Sequence, residues 1–402
     1  MSAEAEAARP TLTARERRGV LLTLCLTEIV SWGVLYYAFA VLGHTIAEDT
    51  GWSLARLTAL FSAALVVSGG VGIYAGRVIH RHGPRWVMTL GSALAAIALV
   101  IIATAPNLPI FAAGWLVAGI AMAGVLYAPA FAAITVWFGP DRVRALTAVT
   151  LVAGLASTVF APLTAALADE LSWRDTYLVL GAVLAVLTIL PHAVFLRPAW
   201  PTPTPDEDGA ANDRGARRTH PPGFWSLTVA YTAMSICAYA AIINLVPLLK
   251  ERGYSPTEAA WALGIGGFGQ VVGRLGYARV AARFDLVPRT VAIFGVSALS
   301  TAILAVTPGP YAVILAASLV AGYTRGLATL LGATAISDRW GVENYARLNG
   351  VFSGPLMAAA AIAPFLGAGL ALLPGGFPLA FGVLAAIGAL GAIIAAAERS
   401  KH

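Results

Sequence analysis

Three charged side chains sit inside long apolar runs, and they are the residues with chemistry to do. Arg274 lies in Gly269-Gln270-Val271-Val272-Gly273-Arg274, Arg325 in Ala321-Gly322-Tyr323-Thr324-Arg325-Gly326, and Glu28 in the first apolar run. A guanidinium keeps its charge in a protein. Holding it within a membrane span costs at least a few kcal/mol unless it meets water or an anion. Arg274 is therefore a candidate for gripping an anion bidentately, against the blander reading that it snorkels toward the surface beside Arg279 and Arg283. Gln270 is one helical turn before Arg274 and shares its face. It can bond a ligand or orient the arginine but cannot carry a proton. Glu28 is the one acid among twenty that falls well inside a span, about ten residues, or roughly 15 Å, along the first helix. A lone carboxylate there has two comfortable states, protonated or paired with a cation. It reads either as a proton carrier or as the counter-ion of Arg325 or Arg274, and the two are compatible. Arg325 is a second anion contact or the partner of Glu28. Tyr36, Tyr37, Tyr231, Tyr239 and Asn244 add hydrogen-bonding groups, although tyrosines in spans more often pack or sit at the interface. His44 and His192 lie near span ends and read as interfacial.

The elements that position these groups are membrane helices. The chain is 58% hydrophobic and 11% charged, where a soluble globular protein carries roughly 25% charge. The apolar stretches are too long for core helices and do not alternate, which excludes an outer-membrane barrel. Cys25 and Cys237 both fall in apolar runs, so no disulfide framework or metal cluster is expected. The net charge of +6 does not point to nucleic acid, because the basic residues fall in short loops. The polar N-terminus, Ala3–Arg18, lacks the pattern of a removable signal peptide.

Twelve spans are expected, near 19–42, 55–77, 86–105, 109–138, 143–168, 175–196, 223–249, 257–280, 289–307, 310–337, 345–372 and 377–397. With the N-terminus inside, twenty of the 26 Lys and Arg residues fall in inner segments. Four fall outside (Arg56, Arg174, Lys250, Arg252), and Arg274 and Arg325 lie within spans. This asymmetry places both termini in the cytoplasm. The domain reading is an N-terminal tail at 1–18, six helices at 19–196, a flexible linker at 197–222, six helices at 223–397 and a short tail at 398–402. The linker carries Pro-Thr-Pro-Thr-Pro, then Asp206-Glu207-Asp208, then Arg214, Arg217 and Arg218, and cannot pack a core. The halves repeat. Arg77 and Arg81 precede Arg279 and Arg283 by 202 residues, as Ala161-Pro162 precedes Ala363-Pro364; Ala118-Gly119 and Trp137 precede Ala321-Gly322 and Trp340 by 203. The fold class is thus all-α, two pseudo-repeated six-helix bundles. Transporters built this way bind substrate near the midplane and rock around it.

The loop after span 2 reads Gly76-Arg77-Val78-Ile79-His80-Arg81-His82-Gly83-Pro84-Arg85. It resembles the Gly-x-x-x-Asp-Arg-x-Gly-x-Arg gating signature of the major facilitator superfamily, and the chain resembles that family over nearly its whole length. The resemblance implies a charged latch on the cytoplasmic side, formed by Gly76, Arg77, His80, Arg81, Gly83 and Arg85. His80 stands where the family has an acid, so the fixed negative charge is missing and the latch becomes pH-dependent. The other reading of this loop is a basic segment that only sets topology. Within the superfamily the chain is similar to the bacterial monocarboxylate and oxalate/formate-type branch. The likeness rests on Tyr37-Ala38-Phe39 with Gly51-Trp52-Ser53, on Gly124 to Pro129 with Trp137-Phe138 and Arg142-x-Arg144-Ala145, and on Gly269 to Arg274. It implies that Arg274 binds a substrate carboxylate and Tyr127 bonds the substrate. Two departures stand out. Val41 lies where animal carriers have a lysine, and Gln270 lies where some members have a proton-coupling aspartate.

The expected function is secondary active transport of a small organic anion, a monocarboxylate, with proton symport across a bacterial plasma membrane. The expected partners are that anion, protons and the lipid bilayer, for a monomer without cofactor or nucleic acid. Gly264, Gly266, Gly267, Gly269 and Gly273 lie inside a span with no strand before them, so they are not a nucleotide loop and ATP is not implied. No nucleophile–base pair or metal set marks an enzyme. The alternatives are a proton-driven efflux pump for drugs and other small molecules, to which a buried arginine is a liability for cationic cargo, and a non-transporting membrane sensor or assembly factor.

Overall fold

The computed structural model describes residues 12–201 and 220–397, and they are almost wholly helical. The first helix, α1 (Ala14–Thr50), starts on a capping box in which Thr13 and Glu16 satisfy each other's backbone amides. It continues through a π-helical turn at Gly33–Tyr37 and ends at Gly51. Ser53 caps the next helix. The Gly51-Trp52-Ser53 triplet is therefore a stop, a turn and a start. There follow α2 (Leu54–His82), α3 (Pro84–Thr104), α4 (Leu108–Trp137), α5 (Gly139–Glu170), α6 (Trp173–Phe195) and α7 (Phe224–Glu251). The remainder are α8 (Pro256–Arg283), α9 (Leu286–Val306), α10 (Tyr311–Trp340), α11 (Tyr345–Leu370) and α12 (Gly376–Ala397). Ten of these, all but α8 and α11, are long and apolar enough to cross a membrane by length and composition. The helices α8 and α11 are of spanning length too, at 28 and 26 residues. Large apolar side chains such as Leu90, Ile97, Leu190, Leu299 and Ile393 are exposed along the helices, a surface that a bilayer covers and water would not.

By contacts the chain divides into two units, Met1–Arg218 with Trp340–Gly354, and Thr219–Arg339 with Pro355–His402. Within the first, α3 packs on α4 and α6, α2 on α4, and α1 on α5; within the second, α9 and α7 both pack on α12. The pairing of α3 with α6 recurs six helices later as α9 with α12, as the internal repeat requires. Trp340–Gly354 joins the first unit because α11 begins against α2, backbone on backbone. A Cβ on Gly76 would lie 2.5 Å from the Ala346 carbonyl, and one on Gly350 2.5 Å from that of Gly72. In lipid, where apolar burial gives helices little reason to associate, such close approach is what holds them. In the second unit, Arg289 of α9 pairs with Asp338 of α10 at 3.0 Å, and its guanidinium also reaches the Ala281 carbonyl of α8.

Of the tails and linker expected from the sequence, residues 1–11, 202–219 and 398–402 lie outside the described residues. The start of the linker is fixed where a flexible stretch was expected. Trp200 donates its indole N–H to the His80 carbonyl at 3.1 Å, and its ring stacks edge-on against Trp137, whose own N–H meets the Ala199 carbonyl.

Candidate functional site

The second unit carries the cationic residues, and a glycine crossing sets their position. Helices α8 and α10 cross so closely that a Cβ on Gly322 would lie 1.8 Å from the Gly266 carbonyl, and one on Gly326 2.2 Å from that of Gln270. A Cβ on Gly269 or Gly273 would likewise run into α10. No other residue fits. The crossing brings Gln270 and Arg325 together: Arg325 Nη2 donates to Gln270 Oε1 at 3.3 Å. Gln270 thus has its partner across the crossing, on α10, where the sequence suggested Arg274 on its own helix. Arg274 is buried, and its backbone lies against Gly326. Beside Arg325, among α7, α8, α9 and α10, is a small cavity of about 30 Å³ bordered by Ser297, Thr301 and Ser318. One N–H of the Asn244 amide donates to the Ala240 carbonyl at 2.9 Å, and the side chain packs against Gly367.

The first unit carries the acid and the tyrosines. Glu28 is fully buried. Its Oε2 accepts from Trp32 Nε1 at 3.1 Å, while Oε1 has no hydrogen-bond partner. The hydroxyls of Thr27 and Ser31, on the same turn, are also buried without partners. Among the described residues Glu28 makes no ion pair. Trp32 links the acid to the tyrosines: its ring lies 5.0 Å from Tyr127 and 5.4 Å from Tyr36, and Tyr127 stacks on Phe131. Sequence reasoning missed Trp32, although its i, i+4 spacing from Glu28 was a signal.

Both helices that carry this cluster are irregular beside it. The π-helical turn of α1 begins one residue after Trp32. Helix α4 is broken at Leu126, which is extended, so that Tyr127 opens a second segment, Tyr127–Trp137. Pro129 is the cause that the sequence displayed: it has no N–H to give to the Val125 carbonyl. Irregular backbone at membrane depth is tolerated where it is enclosed by protein or lines a cavity.

In the gating segment, Gly76 makes the backbone contact with α11, and Gly83 ends α2 at φ +80° beneath the Trp200 ring. Arg85 donates to the Ala193 carbonyl of α6 at 3.0 Å and stacks on Trp86. Arg77 and Arg81 are exposed and His80 half-buried.

The family model of the Major Facilitator Superfamily matches residues 24–316 and 224–401. The chain belongs to the Major Facilitator Superfamily. Superfamily relatives include monocarboxylate transporter 13 of Rattus norvegicus, 26% identical over 250 residues that cover 61% of this chain and 55% of the rat protein. Multidrug resistance protein MdtL of Klebsiella pneumoniae is 27% identical over 258 residues, 62% of each chain. The chain therefore spans little more than half the length of these relatives. Among solved structures, the human organic anion transporter MFSD10 superposes with a TM-score of 0.72 at 15% identity, over 95% of this chain and all of that one. The E. coli fucose:proton symporter FucP gives 0.71 at 14% identity, over 94% and 98%. At these identities the superpositions show the fold alone; that this is a multi-pass membrane protein rests on the family match and the apolar helices.

Proposed function

We propose that the chain is a secondary active transporter of a small organic anion, a monocarboxylate, coupled to proton symport by alternating access. In this reading it has twelve spans with both termini cytoplasmic, works as a monomer in a bacterial plasma membrane, and needs neither ATP nor a cofactor. The observation that carries it is the glycine crossing of α8 and α10, which holds one interior arginine in a hydrogen bond with Gln270 and buries a second, Arg274, on the facing turn. Cationic side chains inside membrane helices are rare and by default mark a site that handles charge, here an anion. The similarity to monocarboxylate transporters, at 24–28% identity, supports the same cargo.

Each residue then has a role. Arg274 grips the carboxylate, Arg325 with Gln270 adds the second contact, and Tyr127 with Tyr36 orients the cargo. Glu28 carries the proton. It is a buried carboxylate on α1 that makes no ion pair among the described residues. The loop from Gly76 to Arg85 gates.

Uptake of labelled lactate, pyruvate, acetate, formate and oxalate into proteoliposomes tests this, with and without an inward proton gradient. Gradient-stimulated uptake of one acid, lost in Arg274→Ala by at least about a hundredfold in kcat/KM, is the expected result. Uptake of no acid, or uptake indifferent to Arg274, sinks the reading. The second reading, a proton-coupled efflux pump, draws on the similarity to MdtL. It predicts gradient-driven export of a lipophilic compound that survives Arg274→Ala.

A further inference from the structure

We propose that the groove between the first turns of α1 and the end of α6 binds an anionic glycerophospholipid. The groove is open, about 750 Å³ in volume, and belongs wholly to the first unit. That size suits a ligand of several hundred daltons. Three arginines form its mouth, Arg15 and Arg18 from α1 and Arg197 from just beyond α6. None of them makes an ion pair among the described residues. Arg197 spends only its Nε, in a long bond to the Ala193 carbonyl. Among the described residues the one acid that lines the groove, Glu16, has its carboxylate turned to the Thr13 cap.

The walls are apolar and run into the membrane span. Arg15, Arg18, Gly19 and Leu22 recur at helical spacing on one face of α1, and Leu26 extends that face inward. Leu22 is 58% exposed. On α6, Leu190 and Val194 form the matching exposed stripe, with Phe195 beside them. At the floor the helices come close, Gly19 lying in contact range of the Phe195 ring. A cationic mouth above two converging apolar stripes fits a phosphodiester with its acyl chains. A free anion would leave the stripes bare, and a neutral lipid would leave the arginines unmet. None of the residues assigned to cargo lines this groove.

Native mass spectrometry of the full-length protein in detergent tests the proposal. The probes are phosphatidylglycerol and phosphatidylcholine with the same acyl chains, and glycerol 1-phosphate. The wild type is expected to retain phosphatidylglycerol about tenfold or more over phosphatidylcholine. R15Q/R18Q/R197Q should lose that preference, and R279Q/R283Q, which removes two arginines from α8 instead, should keep it. L22N/V194N, which leaves every charge in place, should weaken retention of phosphatidylglycerol, so the proposal does not depend on the triple variant folding. Equal retention by wild type and the triple variant overturns it. So does competition by glycerol 1-phosphate at the concentrations where the lipid binds, which would mark a headgroup pocket without acyl contacts.

Discussion

The hydrogen bond between Arg325 and Gln270 sets a test of charge for the anion site proposed on the second unit. Gln270→Glu keeps the side chain's length but puts a carboxylate against Arg325. The new ion pair competes with cargo, so KM for the transported acid should rise by about tenfold, or roughly 1.4 kcal/mol, with the fold unchanged by circular dichroism. An unchanged KM would remove Arg325 from the cargo site. Glu28→Gln asks the matching question of the proton. It keeps an acceptor for Trp32 and removes the ionisable group. Counterflow of labelled for unlabelled substrate should persist, while accumulation against a gradient should be lost. Gradient-driven accumulation by this variant at the wild-type rate would end the coupling role. The sequence shows Arg274, Arg325 and Glu28 directly, because a charge within an apolar run has few explanations. It does not show that Gln270 faces Arg325, nor that Trp32 joins Glu28 to Tyr127. Spacing along one helix reveals neighbours on that helix, whereas partners across a crossing depend on its depth and angle.

At the scale of helices, the crossing of α8 and α10 makes a sharp contrast between glycines. Gly322→Leu forces a side chain into the Gly266 backbone, where overpacking costs about 1–3 kcal/mol or more. Gly267→Ala meets nothing within 4 Å and should be neutral. Thermal unfolding in detergent, with uptake measured in parallel, should show the first variant several degrees less stable and inactive, and the second close to wild type. Equal effects would mean that the crossing does not position the arginines. The helices themselves were legible from apolar length. Glycine abundance announced close packing but not which glycines meet. The break in α4 was signalled by Pro129, yet a proline in a span produces a kink, a break or neither, depending on what neighbouring helices supply to the freed carbonyl.

For the whole molecule, hydropathy pointed to an all-helical membrane protein, and the family match agrees with that coarse reading. What pattern alone did not show is the tie between α8, α9 and α10 at Arg289. Its guanidinium bonds Asp338 and the Ala281 carbonyl and lies over Tyr277, whose hydroxyl meets Thr334 at 2.7 Å. Asp338→Asn leaves a buried cation short of its counter-charge. The partial exposure of Asp338 tempers the loss to about 1–3 kcal/mol. A lowered unfolding midpoint, with KM for the substrate unchanged, is the expected outcome. A shift in KM would place this tie in the transport cycle and not only in the scaffold.

The unit that begins the chain is completed by residues made nearly at its end, since Trp340–Gly354 is part of it. During synthesis the glycine face of α2, from Gly69 to Gly76, must wait for more than 260 further residues before Ala346, Gly350 and Gly354 arrive to cover it. A fragment cut at the linker would therefore carry an unfinished seam. Its two halves would be complementing pieces that need each other to mature, and a chaperone or insertase that shields α2 in the interval would decide the yield of the whole protein.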